Sequence, residues 1–335
     1  MKRIISLLLA LALSLSLAAC AAPAEKADGG KLQIVTTLFP YYDFARAIAQ
    51  DRADVTLLLS PGREAHSFEP TPLDAVTISE ADVFLYNGGE GEYWVESMLD
   101  AAGEHIAVAS RMMDYVDALN EEYVEGMQGA DGHDHDHEHG SHDDHDHDHE
   151  EDEHDSDEIE YDEHIWTSPK NAVVLCRAVC DAICRADAEN AAFYRANCEN
   201  YCAQLEDLDA RFAALCESAP RRLLIFADRF PMLYFCREYG LDYRAAFHGC
   251  SGDTEPSLAT IKFLIDKVED ENIPVVYTID FGTKKVAAVV SECTGAAIDT
   301  LYSMQTVSRA DFDAGETYLT LMERNFEALR KGLNA

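Results

Sequence analysis

Histidine stands at every second position in His133-Asp134-His135-Asp136-His137-Glu138-His139, and His142, His145, His147, His149 and His154 follow. Nine of the thirteen histidines fall in this stretch, interleaved with aspartate and glutamate. Neutral imidazole suits zinc, copper, nickel and iron, and carboxylates add charge and oxygen donors. A merely solvating acidic loop would need the carboxylates but not the histidines. So polar a segment cannot bury a core. Residues 131–160 therefore read as a loop that collects metal at many weak sites and not as one fixed centre.

A fixed centre needs isolated, positioned ligands, and two segments offer them. One is Pro61-Gly62-Arg63-Glu64-Ala65-His66-Ser67-Phe68-Glu69-Pro70, a turn-rich loop after a strand. The other is Asp162-Glu163-His164-Ile165-Trp166-Thr167-Ser168-Pro169, which leads into a helix. Loops beyond the carboxyl ends of parallel strands are where α/β sheets hold ligands. Either histidine alone would more often be structural; the pair, His66 with His164, reads as a metal site. Asn87-Gly88-Gly89-Glu90-Gly91-Glu92 lacks the lysine of a phosphate loop and the spacing of a dinucleotide fingerprint, so it reads as a strand-to-helix turn.

The elements that would carry these loops alternate along the chain. Strands are expected at Leu32–Thr36, Val55–Leu59, Val83–Tyr86 and Ile106–Ala109, with helices at Tyr41–Ala49, Leu73–Ser79 and Tyr93–Ala101. Pattern resumes with a helix from Ser168-Pro169 to about Ala186 and a long one over Asp187–Leu215. Strands then fall at Leu223–Phe226, Asp242–Ala246 and Val275–Ile279. Helices fall at Met232–Tyr239, Pro256–Val268 and Lys284–Cys293, with a final one from Asp311 to about Leu333. This alternation predicts an α/β protein of two lobes with parallel sheets, joined by a long rigid helix.

The chain start reads as a secretory signal. Lys2 and Arg3 precede an apolar run, Ile4–Leu17, too short and wrongly flanked for a transmembrane span. Leu17-Ala18-Ala19-Cys20 then looks like a lipobox, with lipid attached at Cys20. The expected organisation is a signal peptide over 1–19, a flexible tether over 20–30 and a first lobe over 31–187. A linking helix over 188–217 and a second lobe over 218–335 complete it.

The net charge of −37 excludes a nucleic-acid partner, which needs a basic surface. Eighteen acidic residues and no Lys or Arg lie between Asp131 and Glu163, so about half the excess is local. Setting Cys20 aside leaves nine of the ten cysteines, an odd number. Cys176, Cys180 and Cys184 recur every four residues within a helical pattern, as do Cys198 and Cys202. They read as small buried apolar groups, in preference to disulfides; no CxxC pair of the usual metal-site kind is present.

The two histidine motifs, with Thr36-Thr37-Leu38-Phe39-Pro40-Tyr41-Tyr42-Asp43-Phe44-Ala45 upstream and Glu255-Pro256-Ser257 downstream, carry a resemblance. From about Leu32 to the C-terminus the chain resembles the zinc/manganese substrate-binding lipoproteins of metal ABC importers, the cluster A-I group that includes high-affinity zinc receptors. The resemblance implies a metal in the cleft between two lobes, with His66 and His164 as first-lobe ligands. It also implies an ABC permease and its ATPase as partners, a lipid anchor and an extracytoplasmic place. A monomer is expected.

The second lobe departs from the family pattern. Where many relatives carry a third histidine or a glutamate, this chain reads Phe226-Ala227-Asp228-Arg229-Phe230-Pro231, so Asp228 is the nearest candidate. Asp280 is the candidate fourth ligand, His248 a rival third and Glu255 a weaker rival. Asp228 could instead pair with Arg229 or cap a helix. Two imidazoles and two carboxylates serve zinc or manganese, and the histidine-rich loop tips the choice to Zn2+, with Mn2+ as the alternative. Two other readings stay open: a zinc-dependent hydrolase, though there is no HExxH motif, and a surface metal buffer or adhesin without transport.

Overall fold

The computed structural model describes residues 30–63, 67–103, 106–127, 160–249 and 255–334. The signal and lipobox with Cys20, the nine histidines from His133 to His154, and His66 lie outside the described residues.

Leu32–Thr36 (β1), Ala53–Leu57 (β2), Val83–Tyr86 (β3) and Val108–Arg111 (β4) form a parallel sheet in the order β2-β1-β3-β4. Leu223–Phe230 (β5), Asp242–His248 (β6), Val275–Ile279 (β7) and Ala297–Leu301 (β8) form a second parallel sheet in the order β6-β5-β7-β8. Parallel neighbours need crossovers. Helices Phe39–Ala49 (α1), Pro72–Ser79 (α2) and Trp94–Ala102 (α3) serve the first lobe. Pro169–Ala186 (α4) and Ala191–Ser218 (α5) form a hairpin, and α5 runs on to the second lobe. Leu233–Tyr239 (α6), Leu258–Asp270 (α7), Lys285–Thr294 (α8), Arg309–Ala314 (α9) and Tyr318–Asn334 (α10) follow.

The expected architecture of two α/β lobes with a long linking helix is the observed one. Three local differences have physical causes. The final helix is two, because Gly315 takes a left-handed φ of 78° and ends α9 there. Edge strand β8 was not expected; its burial is shallow and its alternation faint. Strand β5 runs four residues past the expected end at Phe226, with a bulge between Phe226 and Arg229.

Helix starts follow from their caps. Thr71 and Asp74 close a reciprocal capping box on α2. The Ser168 hydroxyl accepts from the Asn171 N–H ahead of Pro169 at the start of α4. Ser257 caps α7 in the same way, which gives Glu255-Pro256-Ser257 a structural role.

One hydrophobic core runs through both lobes, taking Ile34 and Phe44 from the first, Val179 and Leu205 from the hairpin, and Tyr277 and Leu329 from the second. Smaller clusters pack the outer faces of the two sheets. Asp43, buried in α1, accepts from the Tyr201 hydroxyl of α5 at 2.5 Å and the Tyr318 N–H of α10 at 2.9 Å. Close-packed interiors resist deformation, so the lobes are held on a common spine. The cysteines of α4 and α5 (Cys176, Cys180, Cys184, Cys198 and Cys202) are buried, as expected, and carry free thiols.

Candidate metal site between the lobes

A cavity of about 20 Å³ lies between the His164 turn and the second lobe, lined among others by His164, Arg229, Gly249, Asp280, Ser303 and Gln305. It joins one ligand candidate from each lobe, His164 and Asp280. Asp228 and His248 are not among its lining residues.

His164 precedes a single 3-10 turn, Ile165–Thr167, and its carbonyl accepts from the Thr167 N–H and hydroxyl. Asp162 fixes the ring: its Oδ1 accepts the His164 backbone N–H at 2.8 Å and stands 3.1 Å from Nδ1. That contact assigns the proton to Nδ1 and the lone pair to Nε2. A carboxylate behind the imidazole is how metal-ligating histidines are oriented and made more basic. Burial, the largest influence, lowers the His164 pKa, but Asp162, Glu163 and Glu121 together outweigh it and the net shift is upward. Asp162 is held in turn by its own backbone, whose carbonyl accepts from the Tyr234 hydroxyl at 2.8 Å and whose N–H donates to Leu119.

Asp280 lies just past β7, where parallel sheets carry their ligand loops. Its Oδ1 accepts the Ser303 N–H at 3.1 Å. Burial raises its pKa to about 6, and the nearby Asp228 carboxylate adds to the rise. The Ser303 carbonyl accepts from Trp166 Nε1 at 2.7 Å. Trp166 thus ties the His164 turn to the segment that holds Asp280.

The other candidates are engaged elsewhere. Asp228 accepts from the Arg229 N–H at 2.9 Å and from the Ile279 N–H at 3.4 Å, and it presses on Gly282, where any Cβ would clash. Because β5 continues through this segment, its bulge sets Asp228 against the β7 loop and brings Arg229 to the cavity. His248 meets Glu121 Oε2 at 2.5 Å and packs against the Tyr123 ring. Glu255 is exposed and pairs with Lys285 at 3.4 Å. Sequence reasoning missed Asp162, whose signal is the Asp-x-His spacing before the turn, and Arg229, which lines the cavity beside the candidate Asp228.

Beside the site, Glu92 is buried and accepts the Gly88 N–H at 2.8 Å. Among the described residues its Oε1, the Thr37 hydroxyl and Trp94 Nε1 lack a well-formed hydrogen bond, and all three residues line one small cavity. Burial lifts the Glu92 pKa to about 7, although the adjacent Thr37 hydroxyl favours the charged form. The folded chain therefore holds this proton up to about pH 7, while the unfolded chain releases it near the ordinary value. Stability contributed by the neutral acid is present at low pH and lost as pH rises through 7. At 1.36 kcal/mol per pKa unit the loss is roughly 3 kcal/mol. Glu92→Gln keeps a neutral group and removes this pH dependence. Urea denaturation at pH 5 and pH 8 is expected to show the variant gaining on the parent at the higher pH; equal slopes for both would refute a protonated Glu92.

Comparisons with known proteins bear on the family and the fold. The family model described as zinc-uptake complex component A, periplasmic, matches residues 34–332. The high-affinity zinc uptake system protein ZnuA of Bacillus subtilis is 31% identical over 308 residues, 91% of this chain and 88% of its own. The zinc-binding lipoprotein AdcA of Streptococcus pneumoniae is 31% identical over 99% of this chain, which spans only 61% of that relative's length. The solved Zn(II)-bound ZnuA-like domain of that AdcA aligns with a TM-score of 0.70 at 26% identity, over 91% of this chain and 100% of the domain.

Proposed function

We propose, because the chain belongs to the zinc-uptake complex component A family, that it captures Zn2+ outside the cytoplasm and delivers it to an ABC permease driven by its ATPase. It is a receptor and not an enzyme. The observation that carries the reading is a buried imidazole, oriented by Asp162, sharing a cavity with Asp280 from the opposite lobe. We assign His164 and Asp280 as ligands, with His66 as the second imidazole on the strength of its sequence motif and its resemblance. Asp228 acts through Asp280, by its charge and by its hold on the β7 loop. Cys20 is the proposed lipid anchor, and the nine histidines from His133 to His154 collect or buffer metal before transfer. Among the described residues no helix is long and apolar enough to cross a membrane.

Asp162→Asn leaves the shape of the site but removes the carboxylate behind His164. Outer-shell partners of this kind are worth about 10–100-fold in metal affinity, and a loss of that size is expected in competition titrations with a zinc-specific chelator. An unchanged affinity would mean that His164 is not a ligand. The reading as a whole is tested by exposing the protein to equal zinc and manganese and then dialysing. Zinc retained in preference supports it; manganese retained in preference would make this a manganese receptor.

A further inference from the structure

The hairpin of α4 and α5 holds a sulfur cluster remote from the cleft. Cys176 and Cys180 lie four residues apart on α4, and Cys198 and Cys202 four apart on α5, so each pair shares a helix face. The helices are antiparallel: Cys184 reaches the Ala191 carbonyl, Cys198 that of Cys176, and Cys202 that of Val173. The two faces therefore meet. The sulfur atoms of Cys176, Cys198 and Cys202 all lie within 4.8 Å of one another, and Cys198 and Cys202 are 3.8 Å apart. Cys180 stands beside Cys198, with its own sulfur 4.0 Å from that of Cys184. All four of the first set are buried.

We propose that Cys176, Cys198 and Cys202, with Cys180 as the fourth donor, form a buried thiolate site for one zinc ion between α4 and α5. Zinc binds thiolate sulfur at about 2.3 Å, which places the sulfurs of a tetrahedral site about 3.8 Å apart. The Cys198–Cys202 edge already has that length. The edges from Cys176 must shorten by about 1 Å at most, and Cys180, whose sulfur lies outside that 4.8 Å set, joins by a larger side-chain rotation that leaves the helices in place. Each thiol that binds releases its proton to solvent as its sulfur bonds the cation, and nothing is oxidised. Apolar packing alone does not call for sulfur at four facing positions, since alanine or leucine would fill them with better helix propensity. Bound metal would staple the linking helix α5 to α4 and so stiffen the spine between the lobes.

The test uses the full chain, purified reduced and without oxygen, with thiols first counted in denaturant. Cobalt(II) is the probe, because thiolate-to-cobalt charge transfer gives strong near-ultraviolet bands that imidazole and carboxylate ligands do not. One equivalent is expected to develop these bands and zinc to erase them. Cys198→Ala and Cys202→Ser, checked for folding by circular dichroism, are each expected to weaken cobalt binding at least 100-fold by this readout. Cys184→Ala and His164→Ala should leave the bands intact. Full thiol content without the bands would overturn the proposal in favour of inert packing, and a thiol count short by two or four would overturn it in favour of interhelical disulfides.

Discussion

Replacing His164 with alanine is expected to lower zinc affinity by at least about 100-fold, since losing a ligand costs more than losing the outer-shell partner that orients it. The ring is the first lobe's described contribution to the cavity, and it is fully enclosed. Truncation leaves Asp162 with the His164 backbone N–H but without the ring. The proposed donors that remain are one imidazole, His66, and the Asp280 carboxylate, and a carboxylate binds zinc less selectively than imidazole. Selectivity against manganese should fall together with affinity. Chelator competition with both ions reads the two effects, and circular dichroism confirms that the fold persists. A variant that holds zinc as tightly as the parent would move the site away from this cavity.

Trp166→Ala is expected to cost about 3–5 kcal/mol of stability, the range for a large aromatic side chain deleted from a packed core. The side chain is fully buried at the junction of the lobes. Its ring meets Tyr41 edge-on at 6.4 Å and His164 at 5.6 Å. Its Nε1 donates to the Ser303 carbonyl, and its own carbonyl accepts the Tyr318 hydroxyl at 2.7 Å. The Ser303 N–H in turn holds Asp280, so zinc affinity should decline with stability. Trp166→Phe separates the two effects: it keeps most of the packing and loses one hydrogen bond, worth about 1 kcal/mol. Urea denaturation of both variants measures this. A cost below about 1 kcal/mol for the alanine variant would mean that the lobes do not depend on this junction.

Much of this was legible in the residues. Strand and helix alternation gave both parallel sheets, because buried parallel strands are short apolar runs between helical periods. His164 stood out as an isolated histidine between acidic and turn residues. Asp280 was placed by its position just past a strand. What escaped the sequence depends on register. Ending β5 at Phe226 put Asp228 in a loop, whereas the strand continues to Phe230 with a bulge between Phe226 and Arg229, and Arg229 lines the cavity. His248 looked free until the fold set Glu121 against it across more than a hundred residues. Helical spacing showed that the cysteines were buried, but which thiols face each other is decided by how α4 and α5 align, and one helix alone carries no record of that.

The most direct test of the central claim is the zinc content of the protein after exhaustive dialysis, taken in three forms: the parent, a variant lacking residues 128–159, and that variant with His164→Ala. Removing the histidine-rich segment should leave tightly held zinc in place, and adding the substitution should lower it by one equivalent. If tight zinc vanishes with the segment, or survives the loss of His164 undiminished, the cleft is not where this protein holds its cargo.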